Sequence, residues 1–361
     1  MSLQVLPMKN NAFDHWSFKH SRAGVAYNVT LILLFSAFQY VWLNNPLLDT
    51  FRELLSPYII IYAHAMHVQI FATVILILGK NIVQQTTAIK ILEEIGRARE
   101  SLGGVRNILR GKHWTTSRVK IVAVAYSSTY LLGAILLATN AVRNANFVDP
   151  LFIFAKLVHL YLIDAFVVQY VFVLLLIETS FRLINDHLVE CVEVSLAGIF
   201  EIKGINPHLV LKLREVHLVL VKVAEDVSGF YSLPILMCVS LYFASMARIC
   251  YNFLGAFVFL SADVPNSVLV ISLMYLLKDM IMLVLLTTAV DSTVRESKRT
   301  NCVVSSLMNR VSGVEHQDVV RQWNKNMDWV PVRADGNRYI GFTLMIFAFF
   351  HHYRIDSSNN L

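Results

Sequence analysis

The sequence predicts an all-α polytopic membrane protein with seven transmembrane helices. Three observations lead to this prediction: the composition, a series of long apolar segments, and an uneven distribution of basic residues. Of the 361 residues, 56% are hydrophobic and only 16% are charged, and the mean hydropathy is +0.56. Soluble globular chains carry about 25% charged residues. Most of this chain is therefore expected to lie in lipid.

The apolar segments mark the predicted spans, because lipid requires a helix to pair its backbone groups within its own segment. Neither a repeat nor a low-complexity linker divides the chain, so residues 1–361 are treated as a single membrane domain. The predicted spans are Gly24–Leu43, Tyr58–Gly79, Ile121–Val142, Leu157–Ile177, Phe230–Ala247, Val264–Val290 and Tyr339–Tyr353.

The basic residues predict the orientation, since Lys and Arg that flank a span are retained on the cytoplasmic side. Of the 31 Lys and Arg residues, 25 fall in residues 1–23 and in the second, fourth and sixth connections. The alternate connections and the last tail hold four (Arg52, Arg143, Arg248 and Arg354), and the remaining two, Lys156 and Lys278, lie at the edge of a span or inside one. This distribution predicts a cytoplasmic amino terminus and, with seven spans, an extracellular carboxyl terminus.

The predicted cytoplasmic connections carry helical patterns of their own. The segments "TTAIKILEEIGRARESL" and "LVLKLREVHLVLVKVAEDV" place Ile, Leu and Val at helical spacing, with charged residues between them. The second pattern runs through Val227 into the fifth span. We therefore predict helices that extend out of the membrane into the cytoplasm.

Seven spans also suggest a G-protein-coupled receptor, but the sequence argues against that class. The charge bias is reversed, the third span has no acidic-Arg-aromatic triplet at its cytoplasmic end, and the seventh lacks Asn-Pro-x-x-Tyr. This reading is set aside.

The layout instead resembles the insect gustatory receptor family, relatives of the odorant receptors. The residues that carry the resemblance lie mainly in "LREVHLVLVKVAEDVSGFYSLPILM", with weaker patches at "LTTAVDSTVRES" and "VRADG". In the first segment they are Leu213, Arg214, His217, Leu220, Ser228, Phe230, Ser232 and Pro234.

The resemblance implies a chemoreceptor of the plasma membrane, in sensory neurons, that a small-molecule tastant opens as a non-selective cation channel. Such a channel is expected to be a homo- or hetero-tetramer with related receptors, whose seventh helices line the pore. Thr343, Phe347 and Phe350 are the pore-lining candidates in this chain.

The last span departs from the family pattern, in which the seventh helix carries Thr-Tyr, five apolar residues and Gln-Phe. This chain has "MIFAFFHHYRIDSSNNL" there. The fifteen residues of Tyr339–Tyr353 reach about 22 Å as a helix, whereas the hydrocarbon core is about 30 Å thick. Two alternatives follow: a short but functional pore helix, or a subunit that does not conduct by itself.

Polar residues inside the predicted spans are the ligand-binding candidates, because the resemblance implies a pocket in the outer half of the bundle. His64 and His67 share one helix face, and helix geometry puts both at the depth of Asp164, roughly 10 Å below the outer ends of their spans. They could bind a polar ligand or pair with Asp164. The alternative is that they only bond to neighbouring helices.

Lys278 and Asp279 are expected about 20 Å along the sixth span, where ionised groups are costly unless they are paired or hydrated. A structural pairing between helices is favoured over a polar pocket floor. His159 and Tyr161 are candidates for the pocket mouth, although interfacial anchoring explains Tyr161 equally well.

Other classes of function find less support. The basic second connection is better explained by topology and by attraction to anionic membrane lipid than by nucleic acid. No cofactor or metal site is predicted, since two histidines do not supply the three or four ligands that a metal needs. A membrane enzyme or transporter that uses His64, His67 and Asp164 remains the more distant alternative, and we expect no enzymatic activity.

Overall fold

A computed structural model of the chain describes residues 4–7, 16–19, 21–43, 57–106, 148–197, 207–258 and 266–310. These ranges form six α-helices and one β-hairpin. In chain order the elements are β1 (Gln4–Pro7), β2 (Trp16–Lys19), α1 (Arg22–Leu43), α2 (Pro57–Val83), α3 (Gln85–Arg106), α4 (Val148–Ala197), α5 (Pro207–Val258) and α6 (Asn266–Arg310).

Five of the described helices, all except α3, are long and apolar enough to cross a membrane. This finding confirms a polytopic membrane protein built from helices. The predicted third span, Ile121–Val142, and the predicted seventh, Tyr339–Tyr353, lie outside the described residues. So do the pore candidates Thr343, Phe347 and Phe350, and the number seven and the orientation therefore stay predictions.

Three of the helices are much longer than the bilayer is thick. Helices α4, α5 and α6 contain 50, 52 and 45 residues. At 1.5 Å per residue each is longer than about 65 Å, against about 30 Å of hydrocarbon. They must therefore project out of the membrane. The prediction that a polar helix continues through Val227 into the fifth span is confirmed, because α5 is unbroken from Pro207 to Val258.

Helix α3 continues α2 after a single residue, Gln84. The backbone N–H of Gln84 donates to the carbonyl of Lys80 at 2.8 Å, and the N–H of Ala88 donates to the carbonyl of Gln84 at 3.1 Å. The hydrogen-bond pattern of a helix thus persists across the junction. The inward residues of α3 recur every three or four positions, as predicted: Ala88, Ile91, Ile95, Ala98 and Leu102 are all buried.

The core lies where α4 packs against α5 and α6. On α4 the buried residues follow the helical period along most of its length, from Ile163 through Val167, Ile177 and Ile184 to Leu188. The outward residues of the bundle are apolar too: Phe172 is 39% exposed and Leu33 is 64% exposed. An apolar exterior is what lipid requires, so these positions agree with membrane insertion.

The hairpin is the element that the sequence analysis did not predict. Strands β1 and β2 pair antiparallel, with Gln4 opposite Lys19 and Pro7 opposite Trp16. Strand β2 contacts α3, so the hairpin lies against the polar end of the α2–α3 rod. Two residues after β2, Ser21 caps α1 by accepting a hydrogen bond from the N–H of Gly24, and this cap marks the start of the first span.

Candidate functional site

An ion pair buried between three helices is the most distinctive polar feature of the described bundle. Asp164 of α4 is 1% exposed. Its Oδ2 lies 2.9 Å from the Nζ of Lys278 on α6, and its Oδ1 accepts a hydrogen bond of 2.6 Å from the Oη of Tyr242 on α5. One carboxylate therefore joins α4 to both of its partners.

Lys278 is shared with a second carboxylate. Its Nζ lies 3.1 Å from the Oδ1 of Asp279, and Asp279 also accepts a hydrogen bond from Ser245 of α5. The ammonium lies 5.7 Å from the ring centroid of Tyr242 and 6.0 Å from that of Tyr275, within range of cation–π attraction. We call Asp164, Tyr242, Ser245, Lys278 and Asp279 the central polar junction.

Burying the charges of the junction costs free energy, and removing one of the partners costs more. Charged groups in a membrane interior cost several kcal/mol unless they are paired and hydrogen-bonded. Here both carboxylates accept bonds from an ammonium and from a hydroxyl. The structure thus contains the interhelical pairing that the sequence favoured for Lys278, and it identifies Asp164 as the partner.

The sequence analysis placed Lys278 and Asp164 at different depths, and this difference was wrong. Lys278 was placed about twice as deep as Asp164, whereas the two side chains are in contact. The error arose because depth was counted from Leu157, while α4 already begins at Val148. Counted from the helix starts, Asp164 lies about 24 Å along α4 and Lys278 about 18 Å along α6.

The two histidines of α2 are half-buried, and α2 packs against α1, α4 and α5. His64 and His67 share one helix face on a helix that contacts the Asp164 helix. Their proposed role in ligand binding stays a prediction.

His159 and Tyr161 point to opposite sides of α4. His159 is 5% exposed and packs on α1, with ring centroids 4.1 Å from Phe35 and 6.2 Å from Phe38. Tyr161 is 44% exposed. The packing of His159 ties α1 to α4, and the exposure of Tyr161 fits an interfacial anchor. Ligand contact remains a prediction for both.

A second polar network, which the sequence analysis missed, joins α4 and α6 further along. Glu178 is 3% exposed and accepts bonds of 2.7 Å from Arg182 and from Ser292. Arg182 also lies 3.4 Å from Glu296, which accepts a bond of 3.2 Å from Asn185. The i,i+4 spacing of Glu178 and Arg182, just after an apolar span, was the available signal.

An aromatic cluster lines the space between α4 and α5. Tyr231 lies 5.2 Å from Phe166, 4.9 Å from Tyr170 and 4.8 Å from Phe230, measured between ring centroids. Its hydroxyl accepts a 3.0 Å hydrogen bond from Gln169. The sequence signal was the "FYS" of the family-like segment, although the partners on α4 were not predictable from it.

The ion pair between α3 and α5 is of the ordinary surface kind. Lys90 of α3 lies 3.1 Å from Asp226 of α5. The hydrogen bond that Lys90 donates to Asp226, together with the negative charge of Asp226, raises the pKa of Lys90 above the usual value. Side chains this exposed contribute little to stability, so the pair mainly orients α3 against α5.

Within the ranges that the structure covers, no group of three His, Cys, Asp or Glu side chains is placed to hold a metal. The central polar junction can hold helices together and can contribute to ligand binding. It fixes the relative positions of α4, α5 and α6, and it offers charged and hydroxyl groups to a ligand that approaches between them.

Replacing Lys278 by Met is expected to destabilise the protein strongly, because two buried carboxylates would lose their cation. Breaking a buried pair in this way costs about 3–5 kcal/mol. The thermal unfolding temperature of the purified chain in detergent measures the effect. Lys90→Met, which removes an exposed ion pair, is the matched control and should unfold close to the unmodified protein. Equal unfolding temperatures for the two variants would contradict this energetic role of the junction.

Comparison with known families now places the chain. The family model described as 7tm Chemosensory receptor matches residues 5–325. The matched range includes all the described helices and the whole central polar junction, and it ends before Tyr339–Tyr353. No curated protein matches the chain. Because the family model covers most of the 361 residues, the chain belongs to the 7tm chemosensory receptor family.

Proposed function

We propose that this chemosensory receptor is a subunit of a non-selective cation channel that a small-molecule tastant opens. Family membership supports the chemoreceptor role. The central polar junction carries the proposal further, since it gives the interior of the bundle both a polar surface for a ligand and a rigid connection among three helices. The channel is expected to act in the plasma membrane of sensory neurons.

The ligand is proposed to bind between the outer parts of the helices. His64 and His67 on α2 and Asp164 on α4 are the candidate contacts, with His159 and Tyr161 nearer the end of α4. Lys278 and Asp279 would form the floor. Binding opens the channel only if the open arrangement binds the ligand more tightly than the closed one does. A ligand that pulled on Asp164 or Lys278 would act on three helices at once.

Conduction is proposed to require four subunits, each contributing its last apolar segment to a common pore. In this arrangement Thr343, Phe347 and Phe350 would face the pore. A hydrophobic constriction gates such a pore by excluding water.

A second candidate function is that of a partner subunit that binds or assembles but does not conduct alone. The observation that favours it is the shortness of Tyr339–Tyr353, which reaches only about 22 Å as a helix, and its position beyond the matched range. A membrane enzyme or transporter is a weaker alternative, because it would require turnover or uptake at the same polar residues.

Expression of the chain alone, and together with related receptors, separates the candidates. A channel subunit should give tastant-evoked current by itself, with a reversal potential that follows the cation gradients. An epitope after Leu361 should be reached by antibody on intact cells, and one at the amino terminus should not. Current that appears only on co-expression would support the partner subunit, and substrate turnover or uptake without current would support the enzyme or transporter.

Substitution of the α2 histidines tests the ligand site. His64→Leu and His67→Leu should each shift the concentration of tastant for half-maximal response by about fivefold, since one lost hydrogen bond is worth about 1 kcal/mol. Val68→Leu, on the exposed side of the same helix, is the control. An unchanged response at normal surface expression would remove the histidines from the pocket.

A further inference from the structure

Arg248 lies one helical turn beyond the central polar junction. It follows Ser245 by three residues on α5, so both lie on one flank of that helix. Ser245 bonds to Asp279 of α6, and Arg248 interacts electrostatically with Tyr275, which precedes Asp279 by one turn. The residue numbers of the two interactions increase along α5 and decrease along α6, as expected for antiparallel helices. Arg248 and Tyr275 therefore lie on neighbouring flanks of α5 and α6, close enough to interact electrostatically.

Among the described residues, the guanidinium of Arg248 has a hydrogen-bond donor without a partner. Its Nε is buried, yet within the described part of the chain it has no hydrogen-bond partner. The two carboxylates of the junction are already engaged, Asp164 by Lys278 and Tyr242, and Asp279 by Lys278 and Ser245. A buried donor without a partner costs free energy, and a charged one costs more.

The chemistry of this place selects one class of ligand group. A guanidinium presents N–H groups in a planar fork that matches a carboxylate, and hydrogen bonds between the two ions are about twice as strong as neutral ones. The hydroxyl of Tyr275 can donate a further bond. A guanidinium carries a single positive charge, which favours a monocarboxylate over a doubly charged phosphate.

We propose that the receptor binds small organic acids, with the ligand carboxylate held by Arg248 and Tyr275 between α5 and α6. This inference rests on the proposed binding of a small molecule within the bundle, and it names the chemical class of that molecule. The rest of the ligand would lie against the junction.

The experiment measures binding to the purified full-length chain, so that it does not depend on conduction. Acetate, butyrate and benzoate are each compared with the corresponding amide at neutral pH, where the acids are ionised. At least one acid should raise the thermal unfolding temperature in a saturable manner, and its amide should not. An amide has nearly the same shape without the charge, which isolates the contribution of the carboxylate.

Three variants at Arg248 and Tyr275, with a fourth at Lys222 as the control, then assign the binding to its residues. Arg248→Gln should weaken binding of the acid at least about tenfold, as expected for the loss of a charge-assisted pair. Arg248→Lys keeps the charge without the fork and should lie between that variant and the unmodified chain. Tyr275→Phe should weaken binding a few-fold. Lys222→Gln removes a cation from the exposed side of α5 and should leave binding unchanged.

Three results would overturn the inference: no stabilisation by any of the three acids, equal stabilisation by acid and amide, or undiminished binding in Arg248→Gln. The last is expected if Arg248 only extends toward the lipid headgroups. A chain that binds the acid but passes no current leaves the inference intact and counts against the channel. Tastant currents evoked only by neutral molecules would leave the channel proposal intact and count against the binding of organic acids.

Discussion

One ammonium group shared between two carboxylates governs the architecture of the described bundle. In an apolar interior, Lys278 cannot leave Asp164 and Asp279 without exposing three charges to a medium that solvates none of them. This constraint sets the register of α6 on α4. The hydroxyl of Tyr242 extends the constraint to α5. The surrounding apolar side chains therefore pack around helices whose relative positions the junction already fixes.

The second network, at Glu178, Arg182 and Glu296, has the same effect at another level of the two helices. Asp164 and Glu178 are separated by about 21 Å along α4, so α4 and α6 are fastened at two distant points. Helices held in this way move together. A ligand that binds near the junction is thus expected to shift α4, α5 and α6 as one body, and the site proposed at Arg248 lies at the edge of that body.

Much of the fold was predictable because hydropathy and period depend only on local sequence. The apolar spans described here and the helix that runs through Val227 follow from composition and spacing. The pairing of Lys278 with another helix followed from the cost of an isolated charge in lipid. The depth of Asp164 relative to Lys278 did not follow from the sequence. Helix α4 begins nine residues before Leu157, and the mixed polar and apolar residues of this first part give no hydropathy signal. The stacking of His159 on Phe35 and the bonds of Glu178 to Ser292 and of Arg182 to Glu296 join segments far apart in sequence, and no local pattern encodes such contacts.

A double-mutant cycle between Asp164 and Lys278 tests the governing interaction most directly. The free energies of unfolding of Asp164→Asn, Lys278→Met and the double variant are compared with that of the unmodified chain. The two side chains are in direct contact, so the effects are predicted to be non-additive by at least about 1 kcal/mol, with the second substitution much less costly after the first. Effects that add to within about 0.5 kcal/mol would contradict the account, because they would show that the two residues do not depend on each other.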